Sequence, residues 1–129
     1  MSRPLRVGFV VSEARPWVTT GGLGDVAGAL PAALEAEAGH PVAVFAPLSR
    51  EARPRAVAAG AAPTGVGLRL PGGRPARWWR APRPGGGVDF LLDCPALFDR
   101  VGLYGPAGES AYGGVGWPDN PQRFAALCA

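Results

Sequence analysis

A chain of 129 residues that is 47% hydrophobic and 18% charged holds enough apolar material for one globular domain. A domain of that size buries roughly two-thirds of the surface its unfolded chain exposes. Net charge is +3, every one of the 13 basic residues is arginine, and no apolar run approaches the roughly 20 residues a membrane-crossing helix needs. Two distant cysteines, Cys94 and Cys128, and one histidine, His40, argue against a zinc site or a disulfide framework, so the thiols are expected to be reduced and no metal is expected.

The opening run LRVGFVV, Leu5 to Val11, is apolar and β-rich, as in a strand covered on both faces, and Ser12 and Glu13 interrupt it too soon for a signal peptide. A cytoplasmic protein with no membrane partner is therefore expected. A loop follows, from Ser12 to Gly24. Asp25 reads as a helix N-cap, with Val26, Ala29, Leu30, Ala33, Leu34 and Ala38 at helical spacing and Gly39 as the stop. Pro31 lies inside that helix, where it removes a backbone hydrogen bond and should cause a kink. PVAVFAP, Pro41 to Pro47, reads as a second buried strand, which completes a βαβ unit. His40, between Gly39 and Pro41, suits a turn or strand edge rather than catalysis, having no acidic or nucleophilic partner nearby in sequence.

A short helix is expected over Arg50 to Ala59. GVGLRL and ARWWRAP, separated by PGGRP, read as a hairpin, and GVDFLLDCP as another buried strand. Arg69, Arg74, Arg77, Arg80 and Arg83 cluster around Trp78 and Trp79, a pattern shared by nucleic-acid surfaces and solvated hairpins. Modest overall charge and the lack of a nucleic-acid motif favour the hairpin, and no nucleic-acid partner is expected. Pro95 to Gly116 is turn-rich, with Phe98, Tyr104 and Tyr112 needing an anchoring surface. WPDNPQRFAALCA then carries an Asp-Asn-Pro helix start and a helix that lacks C-terminal punctuation.

The stretch WVTTGGLGDVAGALP sits where a strand hands over to a helix, the place at which open α/β sheets bind ligands. Glycines there let a phosphate or sugar approach backbone N–H groups at a helix N-terminus; they also serve simple tight turns and close helix packing. GLGDVA satisfies the dinucleotide-binding spacing, yet about ten residues separate Val11 from Gly22 and no acidic residue ends the second strand. Only Arg50, as a contact to a 2′-phosphate, keeps an NADP-dependent oxidoreductase as an alternative. A P-loop is excluded because no Gly-Lys-Ser/Thr is present.

Four ordered segments carry a family likeness: the Ser-Glu after the first strand, TTGGLGDVAGALPAAL, DCPALFDRVGLYG and PDNPQRFAAL. In this the chain resembles the N-terminal part of bacterial glycogen synthases and plant starch synthases, over essentially its whole length. The resemblance implies a partial Rossmann-like parallel sheet, the first half of the N-terminal domain of a GT-B glycosyltransferase, as one truncated domain over 1–129. It implies ADP-glucose as donor, an α-1,4-glucan acceptor, transfer with retention in glycogen biosynthesis, and no cofactor. Thr19, Gly21 and Gly22 would face the donor phosphates; Glu13, Tyr104, Asp119 and Asn120 match cleft-side positions, where a loop-stabilising role fits as well as a ligand contact. Catalytic residues would lie in a second domain outside this segment, leaving the fragment inactive alone; the alternative function is that of a non-catalytic remnant or a glucan- or nucleotide-binding module. One departure stands out: the family loop reads Lys-Thr-Gly-Gly-Leu, and here Thr19 replaces the lysine that contacts phosphate, with Arg15 as a candidate substitute.

Overall fold

The computed structural model describes residues 3–106 and 116–129. Its elements in chain order are β1 (Val7–Val10), α1 (Gly22–Ala38), β2 (Val42–Pro47), α2 (Ala52–Ala58), β3 (Ala62–Leu70), β4 (Arg74–Pro82), β5 (Val88–Asp93), α3 (Pro95–Phe98) and α4 (Asn120–Cys128). Tyr112 lies outside the described residues. The expected strands, hairpin and helices are all present.

The strands form one five-stranded sheet in the order β1-β2-β5-β4-β3. β1, β2 and β5 run parallel, and β4 and β3 extend this block antiparallel, so the sheet is mixed rather than wholly parallel. This follows from the connections: α1 carries the chain back to begin β2 beside β1, whereas the tight turns on either side of β4 can only reverse direction. β5 lies between β2 and β4 and is covered on both faces. Leu91 joins the core cluster of Val11, Trp17, Val44, Leu48 and Ala81 on one side, and Leu92 joins Leu70, Cys94, Leu97, Phe98 and Leu127 on the other.

Two readings of α1 are corrected. The helix starts at Gly22 with Gly21 as N-cap; Asp25 lies in its first turn and pairs with Arg15 instead of capping. The packed face is Gly24, Ala27 and Pro31, while Val26 is 51% exposed and Leu23 and Leu30 are also exposed. Small residues win because the helix comes very close to the loop before it: a Cβ at Gly24 would stand 2.3 Å from Thr19 Oγ1, and one at Gly28 2.7 Å from Arg15 Cβ. Helix α1 is one continuous helix through Pro31 and ends at Gly39 (φ 65°), whose N–H reaches Glu35 O.

The arginine cluster is also split. Arg69, Arg74, Arg77 and Arg80 are exposed as expected, but Arg83 is buried in an ion pair with Asp89 (2.7 Å). Trp78 and Trp79 are half-buried on opposite faces of the sheet, Trp78 edge-on to Phe45 and Trp79 beneath Arg53. His40 takes the strand-edge role expected of it, its Nδ1 accepting from Leu5 N–H at 3.3 Å.

Candidate substrate-binding site

The loop between β1 and α1 is held from inside. Val18 and Trp17 N–H groups both bond Ala14 O, and Arg15 N–H bonds Gly24 O, so the loop folds back on the first turn of α1. Its indole anchor is Trp17, which is buried and donates to Asp89 Oδ2 at 2.8 Å. Asp89, 1% exposed, also takes Arg83 Nε and Nη2 at 3.0 and 2.7 Å. A carboxylate so enclosed must be fully hydrogen-bonded, and here the loop supplies one of the donors.

Glu13 is 3% exposed and directs its oxygens into the protein. Its Oε2 accepts Thr20 N–H at 2.5 Å, both oxygens accept Thr20 Oγ1, and Oε1 accepts the Tyr104 hydroxyl at 3.1 Å. Tyr104 Oη also lies 2.7 Å from Ser12 Oγ. Burial, the chief cause, together with the Glu13 charge pushes the Tyr104 hydroxyl up to about 12 despite the Ser12 contact, so it stays a neutral donor.

Gly21 and Gly22 differ from Gly24. Nothing lies within 4 Å of a Cβ built on either, and Gly21 is in an extended conformation (φ −173°) open to any residue. Neither packing nor backbone geometry therefore demands glycine there. What their missing side chains leave is clear space over the start of α1, where no side chain caps the helix. Among the described residues no acceptor takes the N–H groups of Gly21 or Gly22. Free amides and the positive end of a 17-residue helix together make a ready anion cradle.

Thr19 does not aim its hydroxyl into that space; Oγ1 donates to Gly21 O at 3.1 Å. Arg15 is engaged with Asp25, and Arg50, the residue that kept the NADP alternative open, is bound to Asp99 through Nε and Nη2, each at 2.9 Å.

Asp119 and Asn120 begin α4. Asp119 forms a two-pronged pair with Arg100 (2.5 and 2.6 Å), which holds its carboxyl below the usual range. Asn120 Nδ2 donates to Tyr104 O at 2.7 Å, and Oδ1 accepts from Arg123 Nη1 at 2.6 Å. Glu13, Tyr104 and Asn120 thus form one connected group behind the glycine loop, with Asp119 beside it. Sequence reasoning missed Ser12, Thr20, Trp17, Asp89 and Arg123. An aspartate within an apolar strand run was the one available signal, since buried carboxylates are rare unless paired.

Residues 6–129 match the family of the starch synthase catalytic domain. The chain belongs to that family. It is 44% identical to a glycogen synthase of Rhodospirillum rubrum over 129 residues and 50% identical to one of Paracoccus denitrificans over 127 residues; each alignment covers 95% of this chain and 24% of the relative. Among solved structures, the catalytic domain of starch synthase IV from Arabidopsis thaliana, bound to ADP and acarbose, superposes with a TM-score of 0.71 at 20% identity, over 97% of this chain and 24% of that one. The chain thus spans about a quarter of the length of the relatives it matches, and its fold is that of the N-terminal part of a GT-B starch synthase. No helix among the described residues is long and apolar enough to cross a membrane.

Proposed function

We propose that this chain forms one wall of the donor cleft of a cytoplasmic retaining glucosyltransferase, which moves glucose from ADP-glucose to the non-reducing end of an α-1,4-glucan. Support comes from the family membership and from one structural observation, the Gly21 and Gly22 amides that have no acceptor among the described residues at the uncapped start of α1. When the bond to the diphosphate breaks, negative charge grows on the leaving group, and fixed N–H donors aimed at it lower the barrier without reorganising. Glu13 and Tyr104 serve in this reading to hold the loop, since their polar atoms bond Thr20 and each other. Turnover requires a second wall, supplied by sequence that the longer relatives have in addition to the quarter matched here.

The test is a titration of the 15N-labelled chain with ADP-glucose, NADPH and a maltooligosaccharide. ADP-glucose should shift the Gly21 and Gly22 amides most. Tight NADPH binding, or an ADP-glucose response confined to other residues, overturns the reading.

A further inference from the structure

Arg123 is fully buried, and no carboxylate of the described residues forms an ion pair with it. A guanidinium in such a place is costly, and a Leu or Met would fill the space between the Phe98 and Phe124 rings without that cost. Its donors are what a hydrocarbon lacks. Nε bonds Leu97 O at 2.6 Å, and Nη1 bonds both Leu103 O at 2.8 Å and Asn120 Oδ1 at 2.6 Å. Among the described residues Nη2 has no partner, so the contacts of the group are those of its other two nitrogens.

We propose that Arg123 is a positioning residue for the glycine loop, acting through Asn120, Tyr104 and Glu13. By accepting Arg123, Asn120 Oδ1 turns Nδ2 toward Tyr104 O, which fixes the Tyr104 backbone at 2.7 Å. That placement, with the Tyr104 ring 5.7 Å from Phe124, brings the hydroxyl to Glu13 Oε1. Glu13 Oε2 then holds the N–H of Thr20, immediately before Gly21. Arg123 and Asn120 lie one turn apart on α4, the Tyr104 to Glu13 link crosses 91 positions of sequence, and each link depends on a fixed orientation of the one before it. The consequence for ligand binding rests on the reading of Gly21 and Gly22 as a phosphate cradle; the consequence for the loop does not.

Amide hydrogen exchange on the 129-residue chain tests it, with the Thr20 amide compared with that of Val44 in the core strand β2. Arg123→Lys keeps the charge but not the fork. Asn120→Ala cuts the link while leaving Arg123 on its two backbone carbonyls, so it serves if the lysine variant does not fold. Each, like Tyr104→Phe, should speed Thr20 exchange relative to Val44 by roughly 10-fold, the value of one hydrogen bond, and combining Asn120→Ala with Tyr104→Phe should add little to the larger single effect. The midpoint of the ADP-induced shift at Gly21 and Gly22 should move to higher ADP in Asn120→Ala. Thr20 exchange that follows Val44 in Asn120→Ala and Arg123→Lys, or fully additive effects, overturns the proposal. A wild-type chain whose glycine amides ignore ADP while Thr20 still follows Asn120 supports the positioning role and removes the cradle reading alone.

Discussion

Trp17 of the glycine loop and Asp89 of β5 meet in the protein interior through a 2.8 Å hydrogen bond across 72 positions of sequence. Because Asp89 also neutralises the buried Arg83, the loop is tied to an ion pair rather than to a lone acceptor. Removing Asp89 leaves Arg83 with only the more distant Glu35 carboxylate at 3.8 Å, and breaking a buried pair costs about 3–5 kcal/mol, whereas losing the indole donor alone costs about 1–3 kcal/mol. Asp89→Ala should therefore destabilise the chain clearly more than Trp17→Phe in urea unfolding. The reverse order would show that the ion pair does not anchor this end of the sheet.

The four glycines from Gly21 to Gly28 divide into two kinds. Gly24→Ala and Gly28→Ala place a methyl group within 2.7 Å of Thr19 or Arg15 atoms, and overpacking of this sort costs about 1–3 kcal/mol. Gly21→Ala and Gly22→Ala meet nothing, so thermal unfolding should scarcely change while the ADP response weakens. Equal melting losses at all four sites would mean that the open space over Gly21 and Gly22 is filled in solution.

These glycines also explain what the sequence could and could not tell. Apolar runs bounded by Gly and Pro announced β1, β2 and β5, but the expectation that β1 is covered on both faces is corrected: it is an edge strand, and Val10 is 53% exposed. Helix α1 was legible as a helix, but its buried side was not: Val26 and Leu30 carry the hydrophobic signal, and Gly24, Ala27 and Pro31 make the contact. Periodicity weighs hydrophobicity and is blind to a close approach that only small residues permit. Of the site, Glu13, Tyr104 and Asn120 were marked by family likeness, yet their connection through Arg123 spans distant segments and leaves no local pattern. Arg83 reads as solvated because charged residues usually are, and its burial is made tolerable by Asp89 at 2.7 Å, with Glu35 at 3.8 Å and Val42 O at 3.3 Å beside it.

Thr19 offers the loop no positive charge. A lysine in its place would bring a charge-assisted contact within reach of a diphosphate on Gly21 and Gly22, worth about 1.5–3 kcal/mol. Thr19→Lys should tighten ADP binding by roughly 10-fold or more, read by calorimetry at low salt. An unchanged constant would place the diphosphate beyond reach of residue 19.

Tyr104 gives the fold a signature at high pH. Its hydroxyl is raised from 10.0 to about 12 in the folded chain, chiefly by burial and then by the neighbouring Glu13 carboxylate. The folded state therefore keeps its proton where the unfolded chain has lost it, so stability from this group is intact below pH 10 and declines as pH climbs toward 12. Melting temperature should fall between those limits, and Tyr104→Phe, which carries no proton to lose, should flatten that fall while melting lower than the parent at pH 8. Identical slopes for the two chains would mean that the phenol ionises as readily in the fold as out of it, and that the Glu13 carboxylate does not face it.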